Sequence, residues 1–192
     1  LIIAQGLIMG FVPGPSPNLS ADALAQILVE RRDSILLRCL IQCICWTFYG
    51  TWAIPIIMFI RKMEGNTMPA LTYASLVNVG GGWVFFILIP MTWAVMAFRA
   101  GSIAPETLQL MNDWVWFDWL YTWPSFSVWM FIIAAAIFFD KNAQRVFPRW
   151  LAFFNVWSGI LIFPAGMIGF FKTGPFAYDG LISFWFGVFV FF

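Results

Sequence analysis

The sequence contains no histidine, and only 10% of its residues are charged. The first absence removes imidazole from every mechanism: no histidine-ligated haem, no histidine zinc or copper site, no histidine general base. The second excludes a soluble globular domain, in which about 25% of residues are charged. Ten basic and nine acidic side chains leave a net charge of +1, too little for a nucleic-acid binder that works by counterion release. Nucleic acid is therefore not an expected partner. Cysteine is scarce: Cys39, Cys43 and Cys45 are the three, all in one apolar run. On a helix Cys39 and Cys43 share a face and Cys45 does not. Without further ligands they make no closed tetrahedral site, so they read as small hydrophobes. No catalytic residue, metal or other cofactor is expected.

What is abundant is apolar surface: 62% hydrophobic residues, 20% aromatic, and a mean hydropathy of +0.86. Apolar runs of about 20 residues mark transmembrane helices. They lie at residues 1–12, 35–60, 68–98, 114–139, 150–171 and 181–192. The expected fold is all-α, a polytopic transmembrane helix bundle of about six spans in one domain. The chain opens at Leu1 and closes at Phe192 inside apolar runs, so the first and last spans are read as partial. A barrel is excluded, because its strands alternate and run only about 10 residues.

The connections alternate between two sides. Side A receives residues 13–34, 99–113 and 172–180; side B receives 61–67 and 140–149. Side B concentrates Arg61, Lys62, Lys141, Arg145 and Arg149 in two short loops. Cation density near span ends predicts that side B is cytoplasmic, with both termini on that side. On side A, Pro13-Gly14-Pro15-Ser16-Pro17 is not helical, and Ser20 is a candidate N-cap. Residues 21–33 then read as an amphipathic helix lying in the interface, with Leu24, Ile27 and Leu28 on one face.

Candidate site residues follow from polarity inside the spans. Arg38 and Asp118 are charges within span boundaries, each about one turn from side A, and such charges are expensive unless paired or hydrated. Arg38 continues into Gln42, and Asp118 into Tyr121 and Thr122, so two polar stripes descend from side A. The plainer reading is a structural ion pair; the sharper one is a polar pocket. Asn78 precedes Gly80-Gly81-Gly82, and Asn155, Gly159 and Gly166 form a second small face, with Gly6 and Gly10 a third. Small faces in membranes let helices approach closely. Pro55, Pro90, Pro124 and Pro164 interrupt four spans. Lys172-Thr173-Gly174-Pro175 demands a turn and forms a candidate docking loop, closed by Asp179-Gly180.

The segments Phe147-Pro148-Arg149-Trp150, Asn155-x-Trp157, Pro164-x-Gly166 and Phe170-Phe171-Lys172-Thr173-Gly174-Pro175-Phe176 together resemble a group of uncharacterised bacterial multi-span membrane proteins. Arg61-Lys62-Met63-Glu64-Gly65 and the Asn112-Asp113 pair resemble it too. The resemblance implies the bacterial inner membrane and names no substrate. The expected partners are membrane lipids and other membrane protein subunits. The expected role is a non-catalytic subunit or accessory protein of a membrane complex. The alternative is a carrier or binding protein for an apolar molecule such as a lipid or quinone.

Overall fold

The computed structural model describes residues 15–66 and 68–187. Among them the regular structure is helical, with no strand. The order is α1 (Ala21–Glu30), α2 (Arg32–Glu64), α3 (Ala70–Arg99), α4 (Pro105–Leu120), α5 (Trp123–Phe139) and α6 (Arg149–Leu161). A 3-10 helix over Phe163–Gly169 and a π turn over Leu181–Trp185 follow. Four segments are long and apolar enough to cross a membrane: Arg32–Glu64, Ala70–Arg99, Pro105–Phe139 and Arg149–Gly169. The span expected at 1–12, with Gly6 and Gly10, lies outside the described residues. So does the end of the 181–192 span.

Boundaries depart from the sequence reading where polar residues or prolines intervene. The third crossing segment begins at Pro105, nine residues before the expected start, with Pro105 in the first turn of α4. Proline suits that position, because the N–H it lacks would have no helical partner there. The Asn112-Asp113 pair, which reads as a loop by hydropathy, is therefore helical. The same segment breaks at Tyr121–Thr122 rather than running on as one helix. Pro124, in the first turn of α5, cannot donate to the preceding turn and restarts the helix. Pro164 acts likewise, ending α6 and opening the 3-10 helix. Pro55 and Pro90 are instead carried inside α2 and α3.

The sequence places residues 21–33 as an amphipathic helix lying in the interface; the structure has a helix there that is shorter and packs on its neighbours. Its Ser20 cap accepts from Ala23 N–H, and the helix ends at Glu30. Leu24 and Leu28 are buried in the protein core, and α1 packs on α4, so its apolar face is already covered. Gln109 on α4 donates to the Leu19 carbonyl at 2.9 Å and ties the entry segment down.

α2 and α3 form the main antiparallel pair. The Trp46 and Phe86 rings stack with centroids 4.1 Å apart, and Trp83 Nε1 donates to the Trp46 carbonyl at 2.8 Å. With 33 and 30 residues these helices run about 50 and 45 Å, more than the roughly 30 Å apolar core of a bilayer. Their side-B turn is set by Gly65 at φ +61, a conformation that favours glycine. Glu64 then caps α3, accepting from Leu71 N at 2.7 Å and Thr72 N at 3.1 Å. At the α5–α6 connection Asp140 accepts from Asn142 N at 2.9 Å and Val146 N at 3.0 Å. Asn142 Nδ2 reaches the Lys62 carbonyl at 3.1 Å and joins the two turns.

Candidate functional site

The two most distinctive sequence segments meet on side A. Asn112 Nδ2 donates to the Tyr178 hydroxyl at 3.2 Å, and that hydroxyl donates to Asp113 Oδ1 at 3.4 Å. The Tyr178 ring lies parallel on Trp116 with centroids 4.9 Å apart, and Phe184 meets Trp116 edge-on at 5.5 Å. Asn112 is 2% exposed and Tyr178 3%. Tyr178 is the residue that the sequence reading missed, although Asn112-Asp113 and the flanking turn motifs both pointed to this neighbourhood.

The loop that carries Tyr178 is built by its backbone. Gly174 adopts φ +82, Ala177 N donates to its carbonyl, and the Pro175 carbonyl accepts from Ile182 N at 2.9 Å. Gly180 lies against that carbonyl so closely that a Cβ there would sit 2.4 Å from the Pro175 oxygen. Lys172, Thr173, Gly174 and Pro175 are all exposed on the rim. Burial raises the Tyr178 pKa, and the Asp113 carboxylate raises it further, so the hydroxyl stays a proton donor well into alkaline solution. The hydrogen bonds and the ring stack hold the Tyr178 loop against α4.

Asp118 Oδ2 is buried with no hydrogen-bond partner among the described residues. Below Asp118 the helix breaks at Tyr121–Thr122. Thr122 donates back to the Trp119 carbonyl at 2.6 Å, and Tyr121 lies exposed beside Gly169. Gln42 is 2% exposed, and among the described residues neither its amide nitrogen nor its oxygen has a partner.

The small faces divide into two kinds. A Cβ on Gly159 would sit 2.6 Å from the Phe131 ring, and one on Gly166 2.8 Å from Trp123 Nε1. These glycines seat α6 and the 3-10 helix against α5, where Ser127 Oγ also donates to the Gly159 carbonyl at 2.8 Å. Asn155 does not share that role, because its amide turns back to the Leu151 carbonyl of its own helix. Asn78 does bridge helices, donating to the Ser125 carbonyl on α5 at 2.8 Å. Gly80, Gly81 and Gly82 have nothing within 4 Å of an added Cβ, and Gly80 and Gly81 are exposed. Among the described residues nothing packs into the Gly80-Gly81 face, whereas Gly82 is buried.

A cavity with about 480 Å³ of open space lies between α3, the α4–α5 break and the π turn. Phe86, Trp119, Trp123, Phe126 and Phe184 give it an aromatic lining, and Ser183 is the polar residue among those that line it. Compared with known proteins, the chain matches no family model, no curated protein and no solved structure.

Proposed function

We propose that this chain is a non-catalytic integral membrane subunit that packs against other subunits in a membrane complex. The observation that carries this reading is the Gly80-Gly81 face of α3. A helical glycine costs roughly 0.5–1 kcal/mol relative to alanine. Gly159 and Gly166 offset that cost by admitting an aromatic ring of the same chain. Among the described residues Gly80 and Gly81 admit nothing, and exposed Tyr73, Val77 and Val84 continue the same face. Small residues on an outward face are what a second membrane helix packs against. We read the complex as lying in a bacterial inner membrane, with side B and both termini in the cytoplasm, a reading supported by the resemblance and the side-B cations.

Co-migration tests the reading. After gentle solubilisation the wild-type chain should travel with other membrane proteins in a fixed ratio. Gly81→Leu should release them while the chain stays folded. A wild-type chain that migrates alone overturns the proposal.

The second reading is binding of an apolar molecule such as a lipid or quinone, favoured by the aromatic cavity at Trp119, Trp123, Phe126 and Phe184. An extracted lipid or quinone in one-to-one ratio with a lone chain would select it.

A further inference from the structure

We propose that the groove between the α2–α3 turn and the α5–α6 connection binds one anionic phospholipid. The groove holds about 950 Å³ of open space. Met63, Leu71, Ala136 and Phe139 make an apolar wall, and Lys141 and Asn142 stand at its polar edge. Phe139 is 71% exposed, so the wall runs on toward the outside of the bundle, where acyl chains lie.

Charge selects the headgroup. Arg61, Lys62, Lys141, Arg145 and Arg149 are all exposed on this side. The acids there are Glu64, which also lines the groove, and Asp140. Glu64 turns its oxygens to Leu71 N, Thr72 N and the Thr72 hydroxyl. Asp140 turns its oxygens to Asn142 and Val146. Both carboxylates cap backbone; Arg61 donates to the Gly65 carbonyl and the Arg145 charge acts on Asp140, so five cations against two carboxylates leave a surplus positive charge on this side. The N-terminus of α6 opens on the same side, and its N-cap Pro148 supplies no side-chain hydrogen bond. A basic groove at the end of membrane helices with an apolar wall beside it is the shape and charge of an anionic phospholipid site. A free phosphate would use the cations and leave the wall in water.

The test uses the full chain in a neutral detergent, with lipid binding followed by native mass spectrometry. Phosphatidylglycerol, phosphatidylcholine and inorganic phosphate are the probes. One phosphatidylglycerol should bind, phosphatidylcholine should bind at least tenfold more weakly, and inorganic phosphate should not displace the lipid. A cation near a membrane surface contributes enough for about a fivefold change in affinity. The double variant Lys141→Gln, Arg145→Gln should therefore bind phosphatidylglycerol about 25-fold more weakly, and Lys172→Gln on the opposite side should leave it unchanged. Equal binding of the two lipids overturns the proposal on the wild-type chain alone. Displacement by inorganic phosphate, or a double variant within twofold of wild type, overturns it as well.

Discussion

Replacing Tyr178 by phenylalanine removes one oxygen and leaves the ring. That oxygen accepts from Asn112 Nδ2 at 3.2 Å and donates to Asp113 Oδ1 at 3.4 Å. Asn112 is 2% exposed, and its Oδ1 already has no partner. Without the hydroxyl its amide nitrogen loses the partner shown here, and an unsatisfied buried donor costs about 1–3 kcal/mol. For a chain of this length each kcal/mol moves the unfolding temperature by about 2–4 °C. Tyr178→Phe should therefore unfold roughly 4–8 °C lower, at about 2 kcal/mol. Tyr178→Ala also loses the stack on Trp116 and should cost about 3–5 kcal/mol. Tryptophan fluorescence in detergent reads both, because Trp116 is the ring under Tyr178. The alkaline limb supplies a second readout. The raised pKa of Tyr178 contributes stability that is present below its ordinary value of 10.0 and is lost as pH climbs above it. Tyr178→Phe should remove that part of the alkaline loss. A phenylalanine variant within 1 °C of wild type, with an unchanged alkaline limb, refutes the hydrogen-bonded cluster.

The remaining predictions concern packing, an unpaired amide and acid stability. Gly159→Ala drives a methyl into the Phe131 ring and should cost about 1–3 kcal/mol, whereas Gly80→Ala meets open space and should stabilise the isolated chain by about 0.5–1 kcal/mol, both read as shifts in unfolding temperature. Gln42→Met replaces two unpartnered polar atoms by an apolar chain of similar size, so thermal unfolding should show equal or higher stability; a fall would mean that Gln42 has a partner in the membrane. Burial acts to raise the Asp140 pKa, but the Val146 and Asn142 N–H groups, the Asn142 amide and the Arg145 charge together bring it below 3.8. Its contribution is present above that value and is lost as pH falls through the lowered one. Asp140→Asn should lower stability at neutral pH and flatten the acid limb, followed by unfolding temperature against pH.

Much of the helical framework is legible in the sequence, because a membrane span is a long-range average over apolar residues. The four crossing segments overlap the runs at 35–60, 68–98, 114–139 and 150–171. Hydropathy fails where a helix leaves the apolar core. Glu106, Asn112 and Asp113 hide the first turns of α4 from any hydropathy window. Periodicity identifies the amphipathic character of α1 and not what covers it. Leu24 and Leu28 suit a lipid interface and the flank of α4 equally, and the Gln109–Leu19 bond holds the helix to the protein. The candidate site was half legible. Asn112-Asp113 and the Thr173-Gly174-Pro175 turn stand out as patterns. That they meet through Tyr178, across 66 residues from Asn112, is tertiary information. Glycine motifs carry the same limit: a small residue marks a possible close approach, and only the fold distinguishes Gly159 from Gly81.

The most direct test of the docking face is photo-crosslinking in intact membranes. A photoreactive phenylalanine analogue is placed at Val77 or Val84, which flank Gly80 and Gly81 on the exposed face of α3. A second chain carries the analogue at Phe153, an exposed position on α6, as the comparison. The account predicts a discrete protein adduct of fixed mass from Val77 and Val84, abolished by Gly81→Leu. Lipid adducts alone from those positions, with no protein partner, would contradict it.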